Sequence, residues 1–384
     1  MINYPRNVIK IIEIMAKHGY RAYAVGGCVR DVIMGREPND WDMTTNASPE
    51  KMMEIFAAEG VRTIPTGLKH GTVTVLLDGE TYEMTTFRID GSYTDSRHPD
   101  EVIFTQNVED DLARRDFTVN AMAACGEEII DVFGGISDIN NKIIRAVGDP
   151  ERRFTEDALR ILRAVRFAAT LGFEIEENTK NAAKKLASGL QRVSIERKIV
   201  EIKKMLASKG ADRGIELLFE LGLEKYIHED IKRPACPLAD LPARFETRMA
   251  ALFFDNDSIP DLSSLKLSRA ESQGIKSLCD KSVFSAEITE KNARRMIFEY
   301  GELALDAAML HQNTALAALI EAQAKNSPCV TISDLKVGGN DLIAEGIEPK
   351  RIGAIMSYLL DRVIDEPALN ERESLISLAK SFRG

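Results

Sequence analysis

Tyr23-Ala24-Val25-Gly26-Gly27-Cys28-Val29-Arg30-Asp31, followed after eight intervening residues by Asp40-Trp41-Asp42-Met43-Thr44-Thr45, is the stretch on which the fold of this chain turns. Tyr23 to Val25 reads as a short strand. The Gly26-Gly27 pair supplies the turn, and a helix from Val29 to Met34 ends at Gly35. Asn39 to Thr45 reads as a second strand, on which alternation puts Asp40 and Asp42 on one face and Trp41 and Met43 on the other. Two carboxylates on one rigid face suit a hard divalent cation such as Mg²⁺, which takes one or two protein carboxylates beside phosphate oxygens and water. A lone Asp-x-Asp is also what a solvated turn carries. The glycine pair lets backbone approach a phosphate closely, with the following helix N-terminus and Arg30 beside it, though an ordinary strand-to-helix turn needs the same glycines. Neither GxGxxG nor a GKS/GKT loop is present, so the dinucleotide and Walker-type phosphate sites are excluded.

Outward from this stretch, Val8, Ile11, Ile12 and Met15 recur at helical spacing and predict an amphipathic first helix. Ser48-Pro49-Glu50 gives an N-cap, a proline in the first turn and an acid for a helix through about Glu59. Gly71 to Leu77 and Thr81 to Phe87 predict a hairpin around Asp78-Gly79-Glu80. Glu83, on the second of these strands, is a candidate third carboxylate. The first 145 residues are therefore mixed α and β, whereas after Gly148-Asp149-Pro150 the strand-like runs disappear and helical spacing continues almost to the end.

The 384 residues are enough for two or three domains, and 44% apolar with 29% charged residues is ordinary for a globular chain. No apolar run is long enough to cross a membrane and no secretory leader opens the sequence, so a cytoplasmic protein without a membrane partner is expected. The five cysteines are scattered and never spaced as CxxC, which argues against a disulfide framework or a structural zinc. The net charge is −10, yet residues 151–213 hold 15 Lys and Arg against 9 Asp and Glu. Any nucleic-acid surface is expected there.

Three blocks together carry a resemblance. Gly26-Gly27-Cys28-Val29-Arg30-Asp31 with Asp40-Trp41-Asp42, then Arg114-Arg115-Asp116-Phe117-Thr118-Val119-Asn120-Ala121, then Glu156-Asp157-Ala158-Leu159-Arg160-Ile161-Leu162-Arg163, resemble in order the motifs of the class II tRNA nucleotidyltransferase and bacterial poly(A) polymerase family. Glu196-Arg197 is similar to a further helical motif. The segment from Asp334-Leu335 through Asn340-Asp341-Leu342 to Glu366-Pro367-Ala368-Leu369-Asn370 resembles the C-terminal end of the CCA-adding members. The resemblance implies an α+β nucleotidyltransferase head with a small mixed sheet, followed by an elongated all-α neck, body and tail. The corresponding boundaries are 1–145 for the head, 146–207 for a neck with the nucleotide-selecting helix, 208–265 for the body and 266–384 for a tRNA-binding tail.

It further implies template-independent addition of C, C and A to the 3′ end of tRNA from CTP and ATP, with Mg²⁺ and release of pyrophosphate. Asp40 and Asp42 then hold the metal, with Glu83 as a third ligand or a carboxylate that orients them. Gly26, Gly27 and Arg30 meet the nucleotide, and Arg114 its triphosphate. Asp157 and Arg160, taken as neighbours at i, i+3 on a helix, read the base. Arg163 assists, and Arg166, turned about 180° from Asp157 on an ideal helix, meets phosphate or RNA. The polar segment Ser92 to Asp100 reads as a loop of the kind the family needs for the final A, with His98 standing where the family more often has Arg. A poly(A) polymerase, an A-only or CC-only enzyme, and, from a different class, a helical RNA-binding protein with an inactive head are the alternatives. The acidic chain suits unspecific RNA tails poorly, because such affinity comes mainly from phosphate neutralisation.

Overall fold

The computed structural model describes residues 2–91, 102–326 and 328–382. The loop Ser92 to Asp100, with His98, lies outside the described residues. The chain divides into two compact units, Met1–Glu229 and Asp230–Gly384.

The first unit opens with α1 (Arg6–Lys17), whose Val8, Ile11, Ile14 and Met15 are buried, followed by β1 (Ala22–Val25) and α2 (Gly27–Ile33). The second strand is much shorter than the alternation suggests. β2 is only Met43–Thr45, and Asn39 to Asp42 run up to it without strand pairing. Met43, Thr44 and Thr45 are all buried, whereas Asp40 and Asp42 are exposed, so the polar residues leave the sheet where its core ends. The helix after them, α3 (Pro49–Ala58), starts as predicted, with the Ser48 hydroxyl accepting from the Lys51 N–H.

β3 (Arg62–Gly67), β4 (Thr72–Leu77) and β5 (Glu80–Thr86) form an antiparallel meander. Asp78 and Gly79 both have positive φ at the β4–β5 turn, which is what a two-residue hairpin of this hand requires. A ribbon of β6 (Arg88–Asp90) and β7 (Val102–Phe104) is followed by α4 (Val108–Ala113), and β8 (Ala123–Cys125) and β9 (Glu128–Ile130) complete the main sheet. Among the described residues that sheet has seven strands in the order β3-β4-β5-β2-β1-β8-β9, with β2 and β5 parallel and the remaining pairs antiparallel. Its core gathers Ile11, Met15, Met43, Met52, Phe56, Val73, Val75 and Met84, so α1 and α3 cover one face.

After α5 (Gly135–Asn141), a two-residue strand β10 (Ile143–Ile144) pairs in parallel with β11 (Glu174–Ile175). Strand structure therefore reappears once beyond Pro150, in a segment too short to show a pattern. The helices α6 (Pro150–Glu156), α7 (Leu159–Leu171), α8 (Glu177–Lys185), α9 (Ile195–Leu206) and α10 (Ala211–Glu220) complete the unit. α6 and α7 are separate helices. Asp157 has φ −144° and ψ 103°, an extended residue at the break.

The second unit is built of helices among its described residues, with one apolar cluster around Ile355, Leu359, Val363, Leu342 and Leu375. Arg294 is buried there and donates to the carbonyls of Ile364 and Asp365. None of the five cysteines is in a disulfide, Cys28 and Cys279 being buried and the other three half-buried. Among the described residues no helix is long and apolar enough to cross a membrane.

Candidate active site

The turn from β1 into α2 needs glycine at one position above all. Gly26 has φ 82° and ψ −127°, a conformation closed to residues with a Cβ, and a Cβ built there would stand 3.0 Å from Arg115 Nη1. Its N–H donates to the carbonyl of Met122, which ties the turn to the chain entering β8. Gly26, Gly27 and Arg30 line one side of a recess of about 350 Å³, Asp40 and Asp42 another. Arg163 and Arg166 of α7 and Lys204 of α9 close it.

The carboxylates converge although they do not share a strand. In the β2–β5 register Met43 faces Met84, so one residue earlier Asp42 comes beside Glu83. Although Asp42 keeps solvent access, desolvation by the protein around its carboxyl pushes it up, and the nearby charges of Glu83 and Asp40 push it the same way, against the pull of Arg115. Among the described residues no three His, Cys, Asp or Glu side chains form a metal-holding cluster. A pair of carboxylates whose mutual repulsion is only partly offset, by Arg115, fits a divalent cation that draws its remaining oxygens from phosphate and water. Glu83 stands close enough to act on that charge.

Every arginine lining the recess arrives with a carboxylate partner. Arg30 donates to Asp31 Oδ1 from Nε at 2.9 Å and to Asn120 Oδ1 from Nη1 at 2.6 Å. Arg115 reaches Asp111 Oδ2 at 3.2 Å. Arg163 grips Asp116 Oδ2 at 2.6–2.7 Å and lies 3.7 Å from Glu201, and Arg166 is hydrogen-bonded to Glu201. Asp116 is the hub. It also accepts from the Phe117 N–H at 2.8 Å and from Asn120 Nδ2 at 3.3 Å. Burial opposes its ionisation but is outweighed by Arg163, with Arg160 and Asn120, and its pKa falls to about 2.

Three expected residues lie elsewhere. Arg114 is not among the residues lining the recess; its guanidinium is held by buried Asp111 at 2.7–2.9 Å, and its neighbour Arg115 faces the cleft. Asp157 and Arg160 are also outside the lining. The helix breaks at Asp157, and although the Arg160 N–H donates to the Asp157 carbonyl at 3.0 Å, the two side chains take other partners. Asp157 instead accepts from the Leu159 N–H at 3.0 Å and from Arg197 at 2.7 Å, while Arg160 is held by Glu156 at 3.0 Å and by the Arg114 carbonyl at 3.0 Å. Arg166, expected to meet phosphate or RNA rather than the base, lines the recess beside Arg163. Sequence reasoning missed Arg115, Asp116, Asn120, Phe167 and Lys204 as lining residues. The first three lie inside the second motif, and a doubled arginine signals that one faces inward without saying which.

Residues 22–145 match the "Poly A polymerase head domain" family, residues 172–233 the "Probable RNA and SrmB- binding site of polymerase A", and residues 254–379 a tRNA nucleotidyltransferase domain 2 family. The chain is 35% identical to the CCA-adding enzyme of Levilactobacillus brevis, over 96% of this chain and 95% of that protein. It belongs to the CCA-adding enzyme family. The CCA-adding enzyme of Bacillus pumilus is 39% identical over 88% of this chain and 87% of its own. The crystal structure of the Bacillus stearothermophilus CCA-adding enzyme in complex with CTP superposes with a TM-score of 0.80 at 32% identity, covering 97% of this chain and 95% of that one. The Thermotoga maritima CCA-adding enzyme complexed with tRNA shares the fold at a TM-score of 0.73 and 21% identity.

Proposed function

We propose that this chain adds C, C and A to the 3′ end of tRNA from CTP and ATP, releasing pyrophosphate at each step. The observation that carries the reading is the Asp40–Asp42 pair facing a recess of paired arginines, in a chain related over nearly its whole length to CCA-adding enzymes. The 3′ hydroxyl of the tRNA attacks the α-phosphorus in line, the new phosphodiester forms as the α–β bond breaks, and the hydroxyl proton leaves to solvent. Mg²⁺ held by Asp40 and Asp42 would lower the pKa of that hydroxyl and offset charge on the leaving pyrophosphate. Arg30, Arg115, Arg163 and Arg166 exchange their carboxylate partners for phosphate oxygens and orient the triphosphate. Gly26 and Gly27 let it approach the backbone.

Asp157 and Arg160 read the base. Cytosine and adenine both present an exocyclic amino donor beside a ring-nitrogen acceptor, which a carboxylate and a guanidinium satisfy together, whereas uracil and guanine present the reverse. On this reading residues 1–145 are the catalytic head, 146–207 and 208–265 a helical neck and body, and 266–384 a tail that contacts tRNA. The site of action is the cytoplasm. Incubating tRNA that lacks its 3′ end with labelled CTP, ATP or both tests the proposal. Ordered incorporation of two C and one A, ending there, is expected; an unbounded A tail or no incorporation would overturn it.

A further inference from the structure

Three guanidinium groups of the recess meet on one aromatic ring. The Arg166 guanidinium carbon lies 3.8 Å from the centroid of Phe167, and those of Arg30 and Arg163 lie 5.4 Å from it. The ring is 6% exposed and lines the recess, and Phe117 packs edge-on against it, with centroids 5.8 Å apart and planes at 77°. It is fixed from the core side. The arginines reach it from two elements, Arg30 from α2 and the other two from α7. Each has a carboxylate partner, but none of those acids serves all three. Arg163 and Arg166 share Glu201, and Arg30 connects to Arg163 only in sequence, through Asn120 and Asp116. Phe167 is the group that all three touch among the described contacts.

Like charges gathered in a small space repel, and the repulsion is strongest when no anion lies between them. An aromatic face offsets part of it, because its negative quadrupole attracts each cation without being neutralised by the first. A ring also carries no formal charge to compete with an incoming phosphate. A carboxylate in the same place would hold the arginines and then oppose the triphosphate.

We propose that Phe167 is a positioning residue for nucleotide binding: its ring face keeps Arg30, Arg163 and Arg166 gathered toward the cleft in the orientation that receives the triphosphate. The proposal rests on the reading of this recess as the triphosphate site. Phe167 touches no reacting atom, so its loss weakens binding of the phosphate chain and leaves the chemical step nearly intact.

The test separates the ring's electrostatics from its packing. Phe167 is replaced by a ring-trifluorinated phenylalanine, which keeps the shape and empties the π face; Phe167→Leu and Phe167→Tyr are compared with it. Competition of inorganic pyrophosphate with CTP in the unmodified protein is measured first, because failure to compete would refute the triphosphate reading itself. Given competition, the fluorinated protein is expected to raise KM for CTP and ATP about tenfold, a change within the range of a desolvated cation–π contact, with kcat within about threefold. The inhibition constant of pyrophosphate rises by the same factor, and Phe167→Tyr stays within about twofold of the unmodified protein. If the fluorinated protein keeps its KM and pyrophosphate affinity while Phe167→Leu loses both together with thermal stability, Phe167 is core packing and the proposal falls.

Discussion

Replacing Asp116 with Asn isolates the charge at the centre of the arginine array while preserving its shape. In the folded protein this carboxyl titrates at about 2, against 3.8 for the free side chain. At 1.36 kcal/mol per decade the difference amounts to about 2 kcal/mol of folding stability at neutral pH. Because the folded pKa is the lower one, this contribution is complete above about pH 5 and is lost as pH falls through 4 toward 2. About half of it remains at pH 3. Urea unfolding followed by fluorescence of Trp41, the single tryptophan, reports on the unit that contains Asp116. Asp116→Asn is expected to be about 2 to 3 kcal/mol less stable at pH 7, with the gap to the unmodified protein closing by roughly 1 kcal/mol between pH 5 and pH 3. The same variant frees Arg163 from its nearest partner, so a phosphate oxygen no longer competes with that carboxylate and KM for CTP should fall. A gap independent of pH would show that Asp116 contributes through hydrogen bonding alone, and the charge argument would fail.

Asp42→Asn should lower incorporation of both C and A by about a thousandfold or more while tRNA affinity is kept, since a ligand charge disappears and the surface does not; gel-shift and single-turnover assays separate the two. Gly26→Ala should cost about 1 to 3 kcal/mol in urea unfolding, because its backbone conformation excludes a Cβ and the added methyl meets Arg115. An unchanged midpoint would mean that the turn relaxes. Asp157→Ala and Arg160→Ala should each reduce discrimination against UTP and GTP by roughly 5- to 150-fold, the cost of one unpaired buried polar group in the competing complex. Discrimination ratios equal to those of the unmodified protein would locate base reading elsewhere.

What could be read from the sequence followed from where the physics is local. The Gly26-Gly27 turn, the Ser48 cap and the Asp78-Gly79 hairpin are set by residues within a few positions of one another, and they formed as expected. β3 went unnoticed because its side chains are mostly exposed and it contains Pro65, which an edge strand tolerates and a pattern search rejects. The basic stretch 151–213 was legible as charge but not as placement: Arg153, Arg160 and Lys198 are buried rather than displayed. Asp157 was assigned a helical neighbour because Glu156 to Arg163 reads as one helix. At the break the Asp157 carboxylate accepts from the nearby Leu159 N–H, a local cap, and from Arg197, 40 residues away, a partner that no local rule contains.

The paired state of the four cleft arginines bears on how fast the site can be vacated. An anion entering a cleft of bare guanidiniums would gain every contact outright and would dwell there after its partner had gone. Here each new arginine contact displaces an old one to Asp31, Asp111, Asp116 or Glu201, and those acids are ready to reclaim their partners. On the proposed reading the recess would hold its cargo by exchange, with a net grip set by the modest difference between two similar sets of bonds. For a protein that is proposed to discharge the same by-product three times over on one acceptor, clearance between rounds is built into the resting side chains.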